Sequence, residues 1–263
     1  MPSSHPKQPD EPQADPPGDA QQLWQQIGQA FCITLSTRSD RKDHAQSQFE
    51  RVGLGNLVEF HEAAPHPHNS EQGIYESHVA CLDKGLASTQ NTSAARPIIV
   101  FEDDIFFQRF CVDKLKQVAD FLHDNNQWDV LFLGGFVKAS RSTRWSGVRK
   151  IRYQCTAHAY VMSPAFAHRI ASLPFDGKAY DDVLRDLPAG RYFALYPAIG
   201  FQSDSPSDNH KTPVIDRVRR LLGGMTRLQR LNELVHRHMT LLIVAHVVVL
   251  GLFMVLAIML SQK

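Results

Sequence analysis

Three consecutive carboxylates, Glu102-Asp103-Asp104, stand directly after the apolar run Pro97-Ile-Ile-Val-Phe101. Like charges crowded at the end of a hydrophobic segment repel one another and resist desolvation unless a cation joins them. Mg²⁺ or Mn²⁺ suits such a place, because these ions take one or two carboxylates and complete their shell with phosphate oxygens and water. An ion held there can neutralise a diphosphate leaving group. The tripeptide reads equally well as a solvated acidic turn capping a helix from Phe106 onward, and the three residues alone do not decide.

Other residues can serve the same chemistry. Gly73-Ile-Tyr-Glu-Ser77-His78 opens a predicted helix over 75–87. In a first turn, the Ser77 hydroxyl and His78 imidazole would lie near a phosphate drawn to the helix N-terminus. The bland alternative makes Ser77 a cap and His78 an ordinary surface or core histidine. Arg38, Asp40 and Arg41 follow the first predicted strand, where they can grip a nucleotide base or phosphate or simply begin a charged helix. Asp181 and Asp182 open a short predicted helix; one of them can act as a base, or both are acids favoured at a helix start. His66-Pro67-His68 has metal-like spacing, but a solvated loop is the simpler reading. GxxxxGK[ST], GxGxxG and GxSxG are absent from the sequence, which removes the signatures of P-loop, dinucleotide-fold and serine-hydrolase chemistry.

Alternating strands and helices must position these groups. Apolar, β-prone runs at 30–36, 57–60, 97–104, 129–135, 159–163 and 191–197 alternate with helical stretches after residue 40, over 75–87, 110–124 and 164–172, and around Asp181. Continuous apolar strands separated by helices indicate an α/β fold with a mostly parallel sheet covered on both faces. Ligands of such sheets bind beyond the carboxyl ends of the strands. Glu102, Asp103, Asp104, Gly134 and Gly135 all fall at such ends.

The two termini read differently. Residues 1–22 are rich in Pro, Gln, Asp and Ser and poor in large apolar side chains, so a disordered tail is expected. They lack the basic-then-apolar pattern of a secretory signal. Thr240–Leu260 is apolar apart from His246, and as a helix it matches the length of a membrane span. Only three residues follow, so insertion after translation is expected. Arg217, Arg219, Arg220, Arg227, Arg230 and Arg237 precede the span. That bias places the N-terminal domain in the cytoplasm, with the basic segment 211–238 lying on anionic headgroups. The folded part is expected over 29–210.

The chain has a formal net charge of +1, with 21% charged and 43% hydrophobic residues. These are ordinary globular values, and no global field recruits nucleic acid. Cys32, Cys81, Cys111 and Cys155 form no CxxC pair, which leaves reduced thiols as the simplest reading.

In this order, the segments CITLSTRSDRKDHAQSQFERVGL, GIYESHVACLDKGL, PIIVFEDDIFF, DVLFLGG, TAHAYVMSPAFAHRI, DDVL and YPAIGFQSDSPSDN resemble glycosyltransferase family 25. That family includes bacterial lipooligosaccharide and collagen galactosyltransferases, and the resemblance runs from about residue 30 to 209. It implies a GT-A-like fold and transfer of a sugar, often galactose, from a UDP-sugar to a glycan or glycolipid acceptor, with inversion. It further implies Glu102, Asp103 and Asp104 as metal and nucleotide-sugar contacts, with Asp104 the foremost ligand for Mn²⁺ or Mg²⁺. Ser77 and His78 match the family's Ser-His pair, and Asp182 or Asp181 its later acidic position, the base for the acceptor hydroxyl. Glu76 and the C-terminal span depart from the usual family pattern. The competing expectation is an inactive transferase-like domain serving as a membrane scaffold.

Overall fold

The computed structural model describes residues 17–89, 95–188, 190–203 and 223–261. Its elements run α1 (Pro17–Ile27), β1 (Gln29–Leu35), α2 (Ser39–Arg51), β2 (Val58–Ala63), α3 (Ser70–Thr89), β3 (Ile98–Glu102), β4 (Ile105–Phe107), α4 (Val112–Asp124), β5 (Val130–Phe132), β6 (Phe136–Ser142), β7 (Val148–Cys155), β8 (Ala159–Met162), α5 (Pro164–Ala171), α6 (Tyr180–Asp186), β9 (Tyr192–Leu195) and β10 (Gly200–Gln202). Two helices follow, α7 (Gly224–Arg237) and α8 (Met239–Ser261).

Eight strands form one sheet in the order β2-β1-β3-β8-β5-β9-β7-β6, and β4 and β10 form a separate antiparallel pair. The large sheet is mixed. Pairs β1/β2, β1/β3 and β5/β9 are parallel, while β3/β8, β5/β8, β7/β9 and β6/β7 are antiparallel. Followed across the sheet, these pairings leave β8 and β7 opposed to the other strands. The expected α/β architecture with a predominantly one-way sheet therefore stands. The hairpin β6/β7 is absent from the sequence-based expectation, because Arg, Lys and Ser break up its apolar residues and leave no continuous run.

Period-two alternation explains how the sheet takes helices on both faces. In β3, Ile99 and Phe101 join a core with α1, α2 and α4, whereas Ile98 and Val100 join one with α3, α5 and α6. In β8, Ala159 and Val161 face the first of these layers, and Tyr160 and Met162 the second.

The folded unit extends beyond 29–210 on both sides. Residues 17–22, expected in the tail, begin α1, whose Ala20, Trp24 and Ile27 are buried in the core. Trp24 Nε1 donates to Val52 O at 2.9 Å, and its ring stacks on Phe110. Residues 1–16 lie outside the described part. At the other end α7 packs on the domain instead of lying apart from it. Asn232 Nδ2 donates to Val137 O and Asn232 Oδ1 accepts from Val137 N, each at 3.0 Å. The amide thereby satisfies backbone groups of the edge strand β6. Arg109 pairs with Glu233 at 3.0 Å, and Gln229 Nε2 donates to Gly200 O at 2.9 Å. Arg217, Arg219 and Arg220 fall outside the described residues.

Helix α8 contains a stretch, Leu241–Leu260, of mean hydropathy 3.0, none of it buried against the domain. It is long and apolar enough to cross a membrane.

Candidate functional site

Strand β3 delivers its carboxylates to three different neighbours. The parallel register sets Ile33 of β1 opposite Glu102, so Thr34 comes level with Asp103. Thr34 Oγ1 donates to Asp103 Oδ2 at 2.8 Å, and Arg41 Nη1, from the first turns of α2, reaches Asp103 Oδ1 at 3.1 Å. Asp104 turns toward the β4/β10 pair. Its Oδ2 accepts from Gln202 Nε2 at 2.8 Å and lies 4.0 Å from Arg41 Nη2, and its backbone O accepts from Ser203 N. Asp104 Oδ1 is buried with no hydrogen-bond partner among the described residues. The residues after Asp104 form strand β4, not the helix expected from Phe106, so the acidic turn caps no helix.

Glu102 continues the alternation toward α3. Its Oε1 lies 3.5 Å from His78 Nε2. Burial depresses the His78 imidazole to about 3, with Asp181 opposing, so this contact joins a neutral ring to a carboxyl. His78 stacks on Tyr180 with centroids 3.9 Å apart, and its Nδ1 lies 3.0 Å from Tyr160 Oη, itself 2.9 Å from Tyr180 Oη. A buried row of polar rings thus fixes the imidazole behind Glu102.

Helix α3 begins at Ser70, five residues before the expected start. Asn69 Oδ1 accepts from the amides of Glu71 and Gln72, and His66 Nδ1 accepts from those of His68 and Asn69. His66 therefore organises a cap. In consequence Ser77 and His78 lie well inside the helix, and no helix terminus supports a phosphate there. The Ser77 hydroxyl donates to Gly73 O in its own helix.

The remaining expected residues divide. Arg41 belongs to the acidic cluster, whereas Arg38 pairs with Asp40 at 2.9 Å. Asp181 lies within electrostatic reach of both Glu102 and His78, but its oxygens accept from Tyr153 Oη and from the amides of Thr156 and Ala157. Those bonds hold Thr156 in a left-handed conformation, φ 72°, which a β-branched residue adopts only under constraint. Asp182 is 42% exposed and pairs with Arg185 at 2.5 Å. Thr34, Gln202, Tyr160 and Tyr180 complete the site, and no local pattern assigns them a role there, since only tertiary packing brings them to β3.

Close packing also accounts for the glycine two residues past β5. A Cβ on Gly134 would lie 1.8 Å from Gly200 O and 2.9 Å from His158 Nε2. His158 is wholly buried just before β8, and burial lowers its imidazole to about 4. A cavity of about 10 Å³ beneath α7, lined by Gly134, Tyr153 and Glu233, is too small for a substrate. A groove of about 450 Å³ beside Gly28 and Ala30 opens at the opposite end of the strands, away from the carboxylates.

Charge at the cluster is poorly compensated. Burial first, then Asp181 and Asp103, push the Glu102 carboxyl up to about 8. Its side chain remains 30% exposed, so water opposes part of that rise. Burial and Glu102 raise Asp104 to about 7, against the Gln202 hydrogen bond and Arg41. Among the described residues no group of three or more His, Cys, Asp or Glu is arranged to hold a metal. The cluster does fit an ion that takes only one or two carboxylates and draws its other ligands from phosphate and water, and Asp104 Oδ1 is a buried acceptor available to it.

A stability profile follows from these shifts. Between about pH 4 and pH 8 the unfolded chain ionises both groups while the fold retains their protons, so stability falls as pH rises and levels off above that window. Urea unfolding in chelator should show this fall, and Glu102→Gln with Asp104→Asn should remove most of it. An unchanged fall in the double variant would refute the assignment.

No protein-family model and no curated protein matches the chain. Its architecture is that of a mixed α/β domain followed by a helix able to span a membrane. Among solved structures it is similar to A197 from STIV, with TM-score 0.45 and 14% identity over 66% of this chain and 85% of that one. It is also similar to mannose-1-phosphate geranyltransferase from Thermus thermophilus, with TM-score 0.31 and 10% identity over 63% of this chain and 58% of that one. Both likenesses are too remote to bear on activity.

Proposed function

We propose that the chain is a membrane-anchored glycosyltransferase of the family 25 type with a GT-A-like domain. It moves a hexose, galactose or a relative, from a UDP-sugar to a glycan or glycolipid acceptor. The observation that most supports this is the surplus of buried carboxylate at the carboxyl end of β3, where one oxygen of Asp104 has no partner among the described residues. Asp104 and Glu102 would hold Mn²⁺ or Mg²⁺, which when bound offsets the charge of the departing diphosphate. Arg41 adds a cation beside them, and Asp103, tied to Thr34 and Arg41, positions the cluster. Asp182 is assigned as the base because its carboxylate is the less engaged of the two, paired with Arg185 whereas Asp181 accepts from Tyr153, Thr156 and Ala157. It takes the proton of the acceptor hydroxyl as that oxygen attacks the anomeric carbon, and the bond to UDP breaks on the opposite face. Asp181 is a positioning residue. Helix α8 anchors the domain, and the arginine bias before it supports a cytoplasmic position for that domain.

The engaged Asp181 and the lack, among the described residues, of a three-ligand group favour an inactive membrane scaffold as the second reading. Calorimetry on the full chain in nanodiscs separates the two. UDP-galactose, UDP-glucose or one of their N-acetyl forms should bind only when Mn²⁺ or Mg²⁺ is present. Absence of metal-dependent heat with all four donors would leave the scaffold.

A further inference from the structure

Helix α7 has its polarity reversed for a helix packed on a soluble domain, whose apolar stripe normally faces the core. Its inner face is polar: Gln229 and Glu233 are buried, and with Asn232 they bond to Gly200, Arg109 and Val137. Its outer face carries Leu231 and Leu234, 57% and 56% exposed, beside exposed Arg227 and Arg237. At 3.6 residues per turn these four fall within an arc of about 120°. A single exposed leucine needs no explanation, but two leucines flanked by arginines have the composition of a helix seated in a bilayer interface. Continuity points the same way. Only His238 separates α7 from α8, and Leu242 N already bonds to His238 O.

We propose that α7 lies in the headgroup layer of the membrane crossed by α8, with Leu231 and Leu234 turned into the lipid and the domain carried on its polar face. The occupant of this surface is the bilayer itself. The seating also sets the height of the acidic site. Near the start of α7, Thr226 Oγ1 lies 3.4 Å from Gln202 O, and Gln202 holds Asp104. From Thr226 to Arg237 the helix spans about 17 Å, so Asp104 is tethered within a short reach of the lipid surface. This deepens the membrane half of the proposed function and rests on α8 being a span. It does not depend on sugar transfer.

The test uses the full chain in nanodiscs of anionic lipid, with Leu231→Trp and Leu234→Trp prepared separately. Each added tryptophan should emit with a blue shift and lose intensity when the acyl chains are brominated. The parent's Trp24, Trp128 and Trp145 should keep their intensity. Emission typical of water, unaffected by brominated lipid at both positions, overturns the proposal. So does a blue shift that brominated lipid leaves untouched and that grows with protein concentration, because a second copy of the chain would then cover the face. Loss of UDP-sugar binding would sink the transferase reading and leave this result standing.

Discussion

Changing Asp104 to asparagine is expected to cut metal-dependent sugar transfer about 100- to 1,000-fold, the usual penalty for removing one preorganised electrostatic contact to the developing charge. The reasoning is local. Asp104 Oδ2 already accepts from Gln202, and an asparagine carbonyl can accept the same bond, so the turn keeps its shape. What disappears is the negative charge and the buried oxygen left over for a cation. Release of UDP, followed at saturating donor and metal, measures the loss. Asp103→Asn makes the informative comparison, because Asp103 is bonded to Thr34 and Arg41. Its replacement should lower the unfolding midpoint more clearly than Asp104→Asn does. Wild-type turnover in Asp104→Asn would remove Asp104 from the proposed chemistry.

The second large effect concerns stability. Trp24→Ala should destabilise the domain by about 3–5 kcal/mol, a drop in melting temperature on the order of 10 °C for a domain of this size. The indole is 1% exposed, meets Phe101 edge-on, stacks on Phe110 and donates to Val52 O. Trp24→Phe should restore most of the ring contacts and lose only the hydrogen bond, about 1 kcal/mol. An unpacked tail would make both variants silent in a thermal melt. Such silence would detach α1 from the core.

These two residues also mark what could be read from the chain. Strands β1, β3 and β5 were legible because each is an apolar run ending at a change in chemistry. The acidic cluster at the end of β3 was legible for the same reason. Helix α1 was hidden by its composition: Ala20, Trp24 and Ile27 form an i, i+4, i+7 stripe within a segment otherwise dominated by Gln, Pro and Asp. The start of α3 was misplaced because Gly73 reads as a boundary, whereas Asn69 supplies the actual cap. Asp181 looked interchangeable with Asp182, since nothing local distinguishes them. Only the turn at 155–157, distant in sequence, separates the carboxylate it anchors from the one that pairs with Arg185. Gln202 was invisible as a site residue because its partner lies 98 positions earlier.

The cover that Asn232 gives to Val137 has a practical consequence for anyone preparing a soluble fragment. Trimming the chain ahead of Gly224 would strip the outer rail of the sheet and invite self-association through β6. Stopping just past His238 retains that guard while discarding the greasy tail, though Leu231 and Leu234 then face water and favour replacement by polar residues.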